Sequence, residues 1–324
     1  MGKSTNKKGG TEMTELRSSP HIHSNETTVR IMWSVVIALL PAMVASVYFF
    51  GFSALKVILV CIISCYIGEI LSHLLLHGRI KTFDGSAVVT GTLLAFVLPP
   101  SIPLWMAGIG GFLAIFLVKE LFGGIGFNIF NPALAARAIL TVSFPLEMTQ
   151  FVAPLSHRID TITMATPLGI IKEGLGEQLP SLWSMFIGNK AGCLGETSIL
   201  LLLIGAIFLL ARKIITWQIP VFYMLTVAII TAITGQDPLF HILSGGLILG
   251  AFFMATDYVT SPITSKGKVI FGIGCGVVTS LIRLKGSYPE GVAYSIIFMN
   301  MFVPLIDKYT LSKKFGAVKR GEKK

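Results

Sequence analysis

Apolar residues along this chain come in long unbroken runs, not in the three-to-four-residue rhythm of a half-buried helix. The runs fall at about 31–52, 54–76, 85–98, 102–118, 130–145, 197–211, 217–234, 238–255, 268–283 and 291–306. Runs of this length predict helices that cross a bilayer, since a hydrocarbon core of about 30 Å takes roughly 20 residues of helix. The runs at 85–98 and 130–145 are short for that and rich in Gly, Pro or Asn, so they predict broken or re-entrant helices covered by their neighbours. The fold class expected is an all-α integral membrane protein with about ten transmembrane helices.

Two pairs of similar stretches point to internal symmetry. Gly91–Phe96 resembles Gly246–Phe252, and Phe122-Gly-Gly-Ile-Gly126 resembles Phe271-Gly-Ile-Gly274, each offset by about 150 residues. Five spans separate the members of a pair, so they would run in opposite directions, as in two inverted five-helix repeats around a central site.

Composition agrees with this reading. Of 324 residues 53% are apolar and 13% charged, mean hydropathy is +0.77 and the net charge is +10. Soluble domains usually carry about a quarter charged residues, so a soluble enzyme is excluded. Nucleic-acid binding would need a basic face on a soluble fold, whereas these Lys and Arg residues sit in short clusters between apolar runs, so no nucleic-acid partner is expected. They read better as topology. With the N-terminus inside and ten alternating spans, nineteen of the 26 basic residues fall on the cytoplasmic side, including the seven from Lys308 to Lys324. Only Lys56, Arg158, Lys172, Lys190, Arg283 and Lys285 fall outside, as the positive-inside rule requires. The division is a cytoplasmic tail 1–29, a membrane domain 30–306 with an extracytoplasmic segment 146–196, and a basic cytoplasmic tail 307–324. Ala42-Met43-Val44-Ala45 looks like a signal cleavage site, but the 30 residues before the run and the apolar residues after it indicate a retained span. Cys61, Cys65, Cys193 and Cys275 are too few and too scattered for a disulfide framework.

Candidate chemistry is sparse. Ionisable groups inside a bilayer are costly and face protein or water. Glu69 and His73, four apart in the second run, would share one helix face, and Glu69 and Asp257 are candidates for an ion pathway. Glu120 and Asp257 lie near cytoplasmic ends, where hydration would explain them equally well. The longest polar stretch between runs contains Asp160-Thr-Ile-Thr163-Met-Ala165-Thr166-Pro-Leu168. A Thr hydroxyl becomes a nucleophile only with help from a base, and Pro167 discourages a regular helix there. By spacing alone the stretch reads as a surface turn with capping Thr and Asp side chains. No phosphate-binding loop, dinucleotide fingerprint or four-Cys cluster occurs.

Five segments carry a family resemblance: Asp84–Gly91, Lys119–Asn128, Asn131–Ala133, Asp160–Leu168 and Thr256–Pro262. From about Ser19 to Tyr309 the chain resembles the RnfD/NqrB family, membrane subunits of the ion-translocating ferredoxin:NAD oxidoreductase (Rnf) complex and of the sodium-pumping NADH:quinone oxidoreductase. The short N-terminal tail and the absence of insertions are more similar to the Rnf subunit. The resemblance implies that a flavin transferase attaches FMN through its phosphate to Thr166, the last residue of an Asp-x-x-Ser/Thr-Gly-Ala-Thr motif in which Asp160, Thr163 and Ala165 match. Met164 departs from the usual Gly. It also implies a non-covalent riboflavin in the membrane part, for which Phe127, Phe130 and Asn131 are candidate lining residues, and other Rnf subunits as partners that handle NAD and ferredoxin. The location expected is the cell membrane, with Thr166 on the outer side where such transferases act. The rivals are an NqrB-like role and a flavin-free channel or transporter on the same core, which leaves the Asp160–Thr166 motif without a purpose.

Overall fold

The computed structural model describes residues 27–78, 84–155, 164–174, 179–286 and 290–311. Each of the ten apolar runs is helical. They form α1 (Thr28–Phe50), α2 (Phe52–His77), α3 (Ser86–Phe96), α4 (Leu104–Ile115), α5 (Pro132–Ser143), α9 (Ile199–Ala211), α10 (Gln218–Ile233), α11 (Pro238–Leu243) with α12 (Leu247–Leu249), α13 (Ser265–Lys285) and α14 (Val292–Thr310). Three short helices, α6 (Pro145–Thr149), α7 (Pro167–Lys172) and α8 (Leu182–Ile187), lie in the connection between α5 and α9. Among the described residues, α1, α13 and Phe52–Leu76 within α2 are long and apolar enough to cross a membrane.

The shorter elements have identifiable stops and starts. α3 begins after Gly85, whose φ of +87° suits glycine, and Asp84 Oδ1 accepts from the Ser86 N–H at 2.8 Å. It ends at Leu98-Pro99-Pro100, where two prolines forbid continuation. α5, α7 and α11 each start with Pro in the first turn behind a capping side chain: Asn131, Thr166 and Asp237. The run at 238–255 is broken at Ser244-Gly245-Gly246, both glycines having positive φ, and resumes as α12 and a π-helical turn, Gly250–Met254. A second π-helical turn, Phe116–Glu120, ends α4.

The two halves pack alike. α2 lies on α4 as α10 lies on α13, α4 meets α5 as α13 meets α14, and the halves join through α1 against α9 and α5 against α14. Close approach rests on small residues, as membrane helices require: a Cβ on Gly91 would come within 2.7 Å of the Ile62 backbone. The outward faces are apolar, and the buried polar side chains lie on the inward faces. On α1, Trp33, Ile37, Leu40, Val44 and Tyr48 point away from the chain while Ser34 and Ser46 are buried. On α2, Ile63, Ile67 and Leu74 face out while Ser64, Glu69, Ser72 and His73 face in. Water would favour the reverse distribution, so the surroundings of these helices are apolar. This is a polytopic helical membrane protein.

Candidate functional site

Four of the five motif segments meet. Ser86 and Thr90 from α3, Lys119 from the π turn that ends α4, Asn128 and Asn131 from the loop before α5, and Thr256 and Asp257 after the π turn that follows α12 all line one cleft of about 830 Å³. Its remaining walls are apolar, with Val35, Leu93, Phe252 and Phe253 among them. An apolar body with a few converging polar groups is the character of a small-molecule site. Asn131 also has a structural part: its Oδ1 caps α5 through the Ala133 and Leu134 N–H groups, and Nδ2 donates to the Met254 carbonyl at 3.4 Å. Phe127 and Phe130, the other two residues expected to line the second-flavin site, do not line this cleft; Phe127 is outward-facing and Phe130 half-buried.

Behind Lys119 lies a buried charged cluster. Glu69 and Lys119 are each only 3% exposed, and Lys119 Nζ donates to Glu69 Oε1 at 2.7 Å and to Ser86 Oγ at 2.7 Å. Glu120 Oε1 lies 3.3 Å from Lys119 Nζ, and Glu120 Oε2 lies 3.5 Å from His73 Nε2. Glu69 and His73 thus share one helix face, as their spacing predicts, and both address the π turn, whose extra residue lets consecutive Lys119 and Glu120 turn inward together. Glu120 is buried, not hydrated, which corrects the expectation for it. Glu69 Oε2 is buried with no hydrogen-bond partner among the described residues. Asp257 is half-buried at the cleft wall. Its Oδ2 accepts from Thr260 Oγ1 at 3.0 Å, and burial pushes its carboxyl up from the ordinary value. The two ion-pathway candidates therefore border one cleft, Glu69 through Lys119 and Asp257 directly.

Thr166 lies elsewhere. It caps α7, with Oγ1 accepting from the Gly169 N–H at 3.2 Å, and is 5% exposed. Pro167 does not prevent a helix here; it opens one. A residue before Pro is held extended, and Thr166 at φ −65°, ψ 155° is already in the capping conformation, with Pro167 at the favoured first position. Ala165 and Met164 are exposed, and the Met164 N–H donates to the Phe151 carbonyl at 3.0 Å. Asp160 and Thr163 lie outside the described residues. Leu168 packs with Met185 and Phe240, and a Cβ on Gly245 would come within 2.5 Å of its side chain. Thr166 and the cleft therefore sit at opposite ends of the broken helix, α7 against Phe240 and Gly245, the cleft against Phe252 to Val259. A second pocket, of about 500 Å³, is lined by Arg137, Thr141, Thr149, Phe151, Gly245 and Glu290 among others, so it borders the residues that touch Met164 and Leu168 on either side of Thr166.

A second buried charged group surrounds the helix break, and sequence reasoning missed it. Arg283 donates to the carbonyls of His241 at 2.6 Å and Ser244 at 2.9 Å, and Lys190 Nζ donates to that of Leu243. Arg137 pairs with Glu290, and Glu196 is buried close by. The available signal was the lone acid in Gly192-Cys-Leu-Gly195-Glu196, adjoining an apolar run.

The chain matches the NQR2, RnfD, RnfE family over residues 15–316, and it belongs to that family. It is 49% identical over 305 residues to a subunit of the Na(+)-translocating ferredoxin:NAD(+) oxidoreductase complex of Acetobacterium woodii, a match covering 93% of this chain and 95% of that one. It is 48% identical over 316 residues to a subunit of the proton-translocating ferredoxin:NAD(+) oxidoreductase complex of Clostridium ljungdahlii, covering 93% and 96%. Against a subunit of the ion-translocating oxidoreductase complex of Stutzerimonas stutzeri the identity is 40% over 330 residues, covering 90% and 93%.

Proposed function

We propose that this chain is the membrane flavoprotein subunit of an ion-translocating ferredoxin:NAD oxidoreductase complex. It carries FMN in phosphodiester linkage on Thr166 and a non-covalent riboflavin in the cleft beside Lys119, and its helical body couples electron flow to movement of Na+ or H+. The observation that carries the reading is the convergence of four separated motif segments on one cleft, with the fifth, Asp160–Leu168, docked at the far end of the same broken helix. Family membership and the names of the relatives support it. Relatives named for Na+ and for protons are almost equally similar, so overall identity does not select the ion.

The residues present fit the two groups. Riboflavin is a flat ring with a hydroxylated chain; Phe252, Phe253 and Leu93 supply the apolar walls, and Ser86, Lys119, Asn128, Asn131 and Asp257 the polar contacts. For FMN on Thr166, Arg137, Thr141 and Thr149 of the second pocket would supply polar groups and Phe151 an apolar surface. When bound, the flavins supply the electron chemistry, and the protein tunes it by charge and dielectric. The chain's own contribution at Thr166 is the hydroxyl oxygen, Oγ1, that would hold the FMN phosphate. Because that hydroxyl is buried and caps α7, the flavin transferase of maturation reaches it before the segment 164–172 docks. Ferredoxin and NAD belong to other Rnf subunits. The apolar outward faces and the nineteen inner basic residues support a cell-membrane protein of ten spans with both termini cytoplasmic and Thr166 outside. The matched packing of the halves supports two inverted five-helix repeats.

In-gel fluorescence of the denatured chain, made together with a flavin transferase, tests the attachment. The wild type and Thr166→Ser fluoresce and Thr166→Val does not; a dark wild-type band under those conditions overturns it.

A further inference from the structure

The connection before α9 does not remain at the surface. The Leu194 N–H donates to the Leu98 carbonyl at 3.1 Å, where α3 has stopped, and Ser46 Oγ donates to the Leu194 carbonyl at 2.8 Å. These bonds hold the turn Leu194–Glu196 inside the helical body, and Glu196 is 4% exposed. Its carboxylate lies between two glycines. A Cβ on Gly192 would come within 3.0 Å of one oxygen, and a Cβ on Gly246 within 3.0 Å of the other. It opens on a small cavity, with room for about one water, that it shares with Lys190 and otherwise with apolar side chains, Ile199, Leu202 and Leu249 among them.

The charged groups facing Glu196 are Lys190 on its own segment, Arg137 from α5, Arg283 from α13 and Glu290 before α14, with the Cys193 thiol in hydrogen-bonding reach. The three cations are already committed. Arg283 and Lys190 bind the carbonyls that the break after α11 leaves open, and Arg137 binds Glu290. Among the described residues no Lys or Arg nitrogen comes within 4.0 Å of the Glu196 carboxylate. A carboxylate buried without a direct cation or a set of N–H donors is relieved by taking up a proton.

We propose that Glu196 is a proton-binding site, exchanging its proton with water in the cavity it shares with Lys190. Burial, aided by Glu290 and opposed by Lys190, Arg137 and Arg283, pushes its carboxyl up to about 7, consistent with exchange near neutrality. A metal ion is the competing ligand. Cys193 Sγ and carboxylate oxygens of Glu196 and Glu290 lie within 4.8 Å of one another. Arg137, Arg283 and Lys190 around that group repel a further cation, whereas a proton bonds to the carboxylate oxygen itself and neutralises that carboxyl.

The test uses the full chain in lipid nanodiscs and does not involve a flavin, so its failure leaves the flavin reading standing. Infrared titration across neutral pH is expected to show a protonated-carboxyl stretch that disappears as pH rises, is absent in Glu196→Gln, and is unchanged when Na+ replaces K+ or when a chelator is added. Lys190→Met removes a positive charge and moves the midpoint to higher pH, a readout that serves even where Glu196→Gln fails to fold. A wild type without the band, a band that persists in Glu196→Gln, a midpoint unmoved in Lys190→Met, or a band displaced by Na+ overturns the proposal.

Discussion

Two groups of buried charges occupy this helical body, and they are wired differently. In the first, Glu69, His73, Lys119 and Glu120 bind one another: the ammonium sits against two carboxylates, and a histidine closes the chain. In the second, Lys190 and Arg283 direct their hydrogens to backbone carbonyls freed by the break after α11, and Glu196 shares a small cavity with Lys190. Side chains of the same types, at similar depth, therefore have different consequences. The first group is a chain of direct ion pairs, in which each member screens the next and removal of Lys119 strands two carboxylates. The second is a helix terminus stabilised by cations, which suits the negative end of a helix, beside an acid that is free to change its protonation state. Directly paired charges make transport defects hard to separate from folding defects; an acid without a direct cation allows titration without collapse.

The contrast can be broken from either side. The largest effect is expected from Lys119→Met, which strands two buried carboxylates and costs about 3–5 kcal/mol. Thermal unfolding in detergent checks it, and adding Glu69→Gln to Lys119→Met recovers much of the loss, because the pair is then neutral. If the double variant is stable but the assembled complex no longer moves ions, Glu69 acts beyond its structural pairing. Arg283→Gln is next, at about 2–3 kcal/mol, since it removes charge-assisted bonds to two buried carbonyls; urea unfolding monitored at the helix signal measures it. A pH effect follows. The Glu196 carboxyl is raised in the fold, from 4.5 to about 7, so the folded state holds more protons in that interval. Its contribution to stability is fully present below about pH 4.5 and is lost as pH rises through about 7, with a slope of at most about 1.4 kcal/mol per pH unit. Glu196→Gln flattens that slope, as melting temperatures across the range will show. The smallest change is Thr166→Val, which removes the α7 cap for about 1 kcal/mol, while Thr166→Ser leaves the melting temperature within error.

Much of this is legible in the sequence. The ten apolar runs mark ten helical stretches because burial in a bilayer needs only length and hydropathy, and the prolines behind Asn131 and Asp237 mark real helix starts. The π turns are not legible: one extra residue in a turn leaves no composition signal, yet it is what brings Lys119 and Glu120 inward together. Counting charges by side of the membrane treats Lys119, Lys190 and Arg283 as loop charges, and all three are buried in bonds. Glu196 is hidden for the same reason, since a residue between apolar runs looks hydrated until the connection is seen to fold back. At Thr166 the residue type is readable and its setting is not. Pro167 reads as a helix breaker although Pro is equally a helix opener, and only the φ and ψ of Thr166 distinguish the two.

FMN on Thr166 is a bond at one atom, and its mass can be weighed. Peptide mass spectrometry of the chain made together with a flavin transferase should find the peptide containing Thr166 heavier by FMN less one water, with fragmentation placing the addition on Thr166 and none of it in Thr166→Val. An unmodified Thr166 peptide recovered in full from that preparation, or the same addition on another residue, would contradict the account.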